Sequence, residues 1–346
     1  MNMAEWTVEE VPSLRGYTVE WAEPGRSFLS RRNVLFESRD LERPFRRIGS
    51  LPVPAWKSAA SRIRIGQRAL RQLFYNVKPL RDGSLFVTYD RSVGVFRQDR
   101  YHELGGLVRP CRVLRNAVAG DADGKVYFGE YLPNLERGPM RIYRFVPGED
   151  SVQVVHEFEP GAIRHIHGIY ADPHTDALWC LSGDVDGECR LMRSQDGFAT
   201  VEIVGTGDAT WRAVSLMFTE THILFAMDAE FQTNHAFRMD RVSGEREELG
   251  ELDGPIYYTI SRGEDFFFAV TAELCPSQVG RNATLWHLPP GGKLRKLHSI
   301  AKDRWPVQLL PGTMHFPGGP GNPDHFHFHC VGLAGADGRV FEVRKI

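Results

Sequence analysis

A chain of 346 residues, 42% hydrophobic and 11% aromatic, can bury one large core or two ordinary ones. Its 42 basic residues stand against 44 acidic ones, so no global charge draws it to nucleic acid or to a membrane surface. No apolar run approaches a membrane span, and MNMAEWTVEEVPSLRG lacks the basic and apolar regions of a signal peptide. Cys111, Cys180, Cys189, Cys275 and Cys330 are odd in number and form no CxxC pair, which favours reduced thiols and a cytoplasmic setting over a disulfide framework.

In chain order, YTVEWAEP is a strand candidate without an assigned partner. RNVLFESRD and PFRRIGSLP follow as two short strands. Residues 56–74, WKSAASRIRIGQRALRQLF, carry apolar residues at helical spacing with Lys57, Arg62, Arg64, Arg68 and Arg71 between them. This predicts a basic amphipathic helix, either packed on a rim with its charges in solvent or facing an anionic surface. From residue 75 onward helical periodicity gives way to runs of β-branched and aromatic residues separated by polar turns. HIHGIYA, ALWCLSG, CRLMRS and TVEIVGT form one four-strand unit, and two such units precede it and two follow. Residues 306–324, rich in glycine and proline, read as a lid or rim loop over the mouth of the channel that the strands enclose, with His315 within reach of that channel. HFHFHCVGLAG and RVFEVRKI complete the chain as two strands.

Equivalent first-strand positions fall at Asn76, Asn116, His167, Arg212 and Tyr257. Four antiparallel strands repeating every ~40 to 50 residues are the signature of a β-propeller blade, whereas a sandwich has no such period. The expected fold is a single all-β domain over 1–346, a propeller of six four-stranded blades. The N- and C-terminal strands would close one composite blade so that no sheet edge is exposed. The two unassigned candidates, YTVEWAEP and VQLLPGTMHF, keep a seventh blade open.

RSQDGFATVEI resembles the Asp-box of the sialidase-like, BNR-repeat propellers, with Ser194, Asp196 and Thr200 in place, Gly197 one position early and Val201 where the tryptophan stands. FESRDLERPF carries Ser38 and Asp40 of a more degraded copy. The resemblance implies a turn between third and fourth strands, capped by short polar side chains, and is structural rather than catalytic. No FRIP motif or assignable arginine triad is present, so sialidase activity does not carry over. As a whole the chain is similar to bacterial BNR-like propellers without an established reaction.

In a propeller the first strand of each blade lines the channel, and its start meets the end of the second strand at one mouth. First-strand starts carry Asn76, Asn116, His165, His167, Arg212, Tyr257 and Tyr258. DHFHFHC, read as the first strand of the closing blade, adds His327 and His329. Second-strand ends carry Asp90, Glu130, Asp184, Asp228, Glu230 and Glu273. His165, His167, His327 and His329, two H-x-H pairs, would hold a divalent metal such as Zn, Mn, Fe or Ni, with Asp184 or Asp228 completing the set. Propeller pectate-type lyases that hold a metal through channel histidines offer an analogy.

Without a metal, His167 would serve as a base, Arg212 as clamp for a carboxylate and Tyr257 or Tyr258 as an acid. That equipment suits β-elimination from a uronic acid. Glu130, Asp184 and Asp228 would otherwise act as paired carboxylates in glycoside hydrolysis. Tyr131, Trp211, Tyr258, Asn76, Asn116 and Glu273 would bind substrate, aromatic faces beside polar groups being usual for sugars. The bland reading is that water and mutual hydrogen bonds satisfy each of these residues, and that Trp211 is wedged between blades. The expected function is an enzyme, lyase-like or hydrolase-like, acting on a carbohydrate or related polyhydroxylated small molecule. No nucleotide cofactor and no nucleic-acid partner are expected, and the oligomeric state is not legible. A non-catalytic ligand- or protein-binding scaffold, or a cyclase or isomerase using the same mouth, are the alternatives.

Overall fold

The computed structural model describes residues 5–63, 66–67, 74–307 and 309–346. Among the described residues seven four-stranded antiparallel sheets are arranged as blades, one more than the expected six and the number that the two unassigned strand candidates kept open. Blade one is Thr18–Glu23, Arg26–Arg31, Val34–Ser38 and Arg46–Ser50. RNVLFESRD and PFRRIGSLP are therefore outer strands of a complete blade of their own, and not halves of the closing one. TVEWAE is its innermost strand. It turns back at Pro24 and Gly25, the latter at φ +75°, where only glycine escapes strain. Blades two to six begin at Phe74–Pro79, Val118–Gly120, Ile166–Ala171, Ala213–Phe218 and Ile256–Arg262, close to the expected positions.

Blade seven closes the ring in a different register from the one expected. Its innermost strand is Thr313–His315, followed outward by His325–Val331 and Val340–Lys345. The N-terminal Trp6–Glu10 adds the outer edge, Trp6 lying opposite Lys345. The composite closure holds, but HFHFH is a second strand, one layer away from the channel. The cause is the short TMH segment inside the Gly/Pro-rich stretch, which pairs Met314 with Cys330 and His315 with His329.

One apolar cluster fills each seam between neighbouring blades. Strand alternation supplies both sides of a sheet, so residues i and i+2 face one neighbour while i+1 faces the other. In blade seven Phe326 and Phe328 face blade six and pack with Phe267, Ala269 and Met314. The histidines that alternate with them face blade one. There the fully buried part of the apolar cluster is Leu14, Tyr17, Val19, Leu29 and Val340, with Val11, Ala22, Phe36, Leu41 and Phe45 partly buried around it. Polar residues thus occupy part of the seam that closes the ring.

The QDG turn of blade four behaves as its residue types predict. Ser194 Oγ accepts from Phe198 N at 2.8 Å, and Asp196 accepts from Thr200 N at 2.9 Å and Thr200 Oγ1 at 2.7 Å. The turn between third and fourth strands of blade one lacks this pattern: Ser38 Oγ donates to the Glu42 carbonyl instead. Of the expected helix over 56–74, Ala55–Ala60 is helical, while Arg64, Arg68 and Arg71 lie outside the described residues. Among the described residues no helix is long and apolar enough to cross a membrane.

Candidate functional site

His165 precedes, and His167 lies on, the innermost strand of blade four, and Asp184 follows the second strand. The strands are antiparallel, so the start of one and the end of the other meet at the same mouth. Each imidazole is anchored through Nδ1 to a backbone carbonyl of a neighbouring blade region: His165 to Leu132 O at 3.1 Å, His167 to Ala213 O at 2.8 Å. A carbonyl can only accept, so each Nδ1 carries the proton and each neutral ring presents an Nε2 lone pair.

Those lone pairs face one another. His165 Nε2 lies 3.2 Å from His167 Nε2 and 3.2 Å from Asp184 Oδ2, and His167 Nε2 lies 3.4 Å from Asp184 Oδ1. Acceptor atoms this close require a positive charge between them. A proton satisfies one pair at a time, and protonating both rings sets two cations against each other. A divalent cation satisfies all three residues at once, and separations of 3.2 to 3.4 Å match ligand spacing around an ion with bonds of about 2.1 Å. Among the described residues these three are the only group of His, Cys, Asp or Glu so arranged. Two nitrogens and a carboxylate suit Zn, Mn, Fe or Ni.

Charge surrounds the triad. Arg164 Nη1 donates to Asp184 Oδ2 at 2.8 Å, and Arg212 Nη2 lies 3.4 Å from Asp184 Oδ1, 3.5 Å from Asp228 Oδ2 and 3.8 Å from Glu230. Burial alone would raise the Asp184 carboxyl, but the imidazoles of His165 and His167 beside it outweigh that and hold it well below the usual carboxylate range. Asp228 has the opposite balance: burial, opposed by Arg212 and reinforced by Glu273, pushes it up to about 7. Its Oδ1 is buried with no hydrogen-bond partner among the described residues, as is Arg212 Nε. Across the mouth Tyr257 donates a very short hydrogen bond to Glu273. Burial, with Asp228 and Glu273 adding, keeps the phenol protonated far above its ordinary range. Burial likewise raises Tyr131, whose ring lies 4.4 Å from that of His165, to about 12.

The geometry therefore collects Tyr131, His165, His167, Asp184, Arg212, Asp228, Tyr257 and Glu273 into one arc over blades three to six. Other expected members stand elsewhere. Glu130 occupies the blade-three position equivalent to Asp184, yet it is fully buried beneath Arg109, which donates at 2.6 Å, and Tyr143, at 2.9 Å. Asn76 ties blade two inward by donating to Thr88 Oγ1 at 2.8 Å and Leu114 O at 2.9 Å. Asn116 donates to Phe316 O at 2.9 Å and lines a cavity of about 520 Å³ at the opposite end of the channel. Asp90 sits in a turn beside a separate surface recess.

Trp211 is packing: it stacks on Phe225 at 6.0 Å beneath the Arg246 guanidinium, 4.2 Å from its ring, and lies against Gly205, where a Cβ would come within 2.1 Å of it. Tyr258 lies deeper, 4.9 Å from the His315 ring. His327 and His329, being on a second strand, do not join the blade-four pair. Arg164 was missed by the sequence reading, although it stands directly before the H-x-H pair and its type was the available signal.

No family model matches the chain, and no curated protein matches it by sequence. Solved structures share its fold. An oligogalacturonate lyase in complex with manganese aligns at a TM-score of 0.60 with 8% identity, covering 99% of this chain and 96% of that one. A chain from the crystal structure of a mitotic checkpoint complex aligns at 0.58 with 9% identity, covering 98% and 93%. At such identities the likeness establishes the β-propeller and nothing finer.

Proposed function

We propose that the arc over blades three to six is the active site of a metal-dependent lyase-like or hydrolase-like enzyme acting on a carboxylated carbohydrate or a related polyhydroxylated molecule. The observation that carries this reading is the convergence of His165, His167 and Asp184 acceptor atoms with both Nδ1 protons already committed elsewhere. His165, His167 and Asp184 would hold a divalent cation, which when bound supplies Lewis-acid polarisation of a substrate oxygen. The propeller fold shared with a manganese-containing oligogalacturonate lyase agrees with this but does not carry it.

The chain's own groups then divide the work. Arg164 and Arg212 pair with the substrate carboxylate, replacing part of their contact with Asp184. Asp228, with one buried oxygen unengaged, takes the proton α to that carboxylate. Tyr257 gives its proton to the departing β-oxygen, and Glu273 holds the phenol in place. The products are an unsaturated acid and the released hydroxyl, so atoms balance without an added oxidant or water. Turnover of uronate oligomers, read as ultraviolet absorbance of the new double bond, tests this. Absence of any product across uronate substrates with the metal loaded would overturn it.

A second reading has one observation in its favour. Arg164 and Arg212 already neutralise Asp184, so the site can stand as a metal-free anion-binding mouth of a scaffold. Metal content separates the two.

A further inference from the structure

The histidines that the mouth leaves unused meet a second unexplained group. His325 begins the second strand of blade seven, and Arg262 ends the first strand of blade six, so both lie toward the face opposite the mouth. With His327, Arg344, Glu342 and Gly321 they line a recess of about 350 Å³ at the seam with blade one. That volume is in the range of small-molecule sites.

Arg262 is 5% exposed. Guanidinium groups are rarely buried so deeply without a carboxylate, because desolvation of an unpaired charge is costly. Arg115, the other described arginine buried to this degree, is paired with Glu20. Arg262 has no such partner among the described residues. It donates Nη1 to the Ser261 carbonyl at 2.7 Å, lies 5.6 Å from the Phe326 ring, and leaves Nε buried without a hydrogen bond. Burial lowers it to about 10, still cationic at neutral pH.

The acids that line the recess have partners other than Arg262. Glu342 accepts from Arg344 Nη2 at 2.9 and 3.0 Å, Glu23 accepts from Trp21 Nε1 at 3.1 Å, and Asp40 stands 3.8 Å from Arg39. Gly321, at φ +62°, lets the backbone pass over the guanidinium: a Cβ there would lie 2.4 Å from Arg262 Nη2. His327 is 8% exposed and burial holds it to about 4, so at neutral pH it offers a neutral hydrogen bond beside a single uncompensated positive charge.

We propose that this recess binds a small molecule bearing an oxyanion, a carboxylate or a phosphate, with Arg262 taking the charge and His325 and His327 hydrogen-bonding it. The site is separate from the mouth and stands whether or not the mouth binds a metal.

Thermal melting of the full chain tests it, with a hexose phosphate and a hexuronate titrated separately against chloride at matched ionic strength. The melting temperature should rise saturably with one of the two, and which one identifies the anion. Arg262→Gln should abolish that rise and, by removing an unpaired buried charge, should melt no lower than wild type without ligand. His325→Ala, at a partly exposed position, should weaken the rise at least tenfold in ligand concentration. Arg212→Gln, at the other mouth, should leave it intact. The proposal is overturned if neither anion stabilises beyond chloride, or if the rise survives Arg262→Gln and vanishes in Arg212→Gln. It is also overturned if Arg262→Gln melts lower and binds as before, because Arg262 is then structural.

Discussion

HIH in blade four and HFHFH in blade seven share the same local pattern, histidines alternating along a strand, and the structure uses them differently. In blade four the strand is innermost, so the alternation places Nε2 atoms of His165 and His167 against Asp184 at the channel mouth. In blade seven the strand is second, so the alternation sorts Phe326 and Phe328 into the seam with blade six and His327 into the seam with blade one. The lesson is that a period of two determines which residues share a face, but a strand's rank within its blade determines what that face meets.

The largest expected difference between the two regions is catalytic. His167→Gln should lose the metal and lower turnover by about 10²- to 10⁴-fold, the range for removing a central polar group from a reacting site. His327→Gln should leave both within error. Equal losses in the two variants would break the comparison. Next in size is packing: Phe328→Ala, at a fully buried ring, should cost about 3 to 5 kcal/mol in urea unfolding.

Acid should sharpen the contrast. His327 is held to about 4 by burial against ~6.5 in the unfolded chain. As pH falls from 6.5 the unfolded state takes up this proton first, so stability is full above 6.5 and is lost progressively toward pH 4. The loss is about 3 kcal/mol at most. His327→Gln should flatten that slope in pH-dependent urea titrations. The smallest effect concerns the capped turn of blade four: Asp196→Ala should lower the melting temperature slightly and leave turnover unchanged, since its bonds stay within the turn.

Much of the architecture was legible because antiparallel blades are local: each strand pairs with its sequence neighbour, so runs and turns alone mark blades two to six. The composite closure by N- and C-terminal strands was legible, but which strands form it was not, because Trp6–Glu10 pairs with Val340–Lys345 across the whole chain. The three-residue strand Thr313–His315 is also too short to show a period among prolines and glycines. In the mouth the same logic applies. Asp184, Asp228 and Glu273 were readable from their place after second strands. Glu130 has the same place, but Arg109 from a connecting loop covers it, a contact no local pattern announces. Trp211 stands beside Arg212 in sequence, yet its ring is drawn outward by the space that Gly205 leaves.

On the proposed reading blade four, and not blade seven, holds a metal. Metal content of the purified protein by mass spectrometry, beside a His165→Gln/His167→Gln variant and a His327→Gln/His329→Gln variant, tests it most directly. Wild type should carry about one equivalent of a transition metal, lost in the first variant and kept in the second. No metal in wild type after loading, or its loss only from the blade-seven variant, would contradict it.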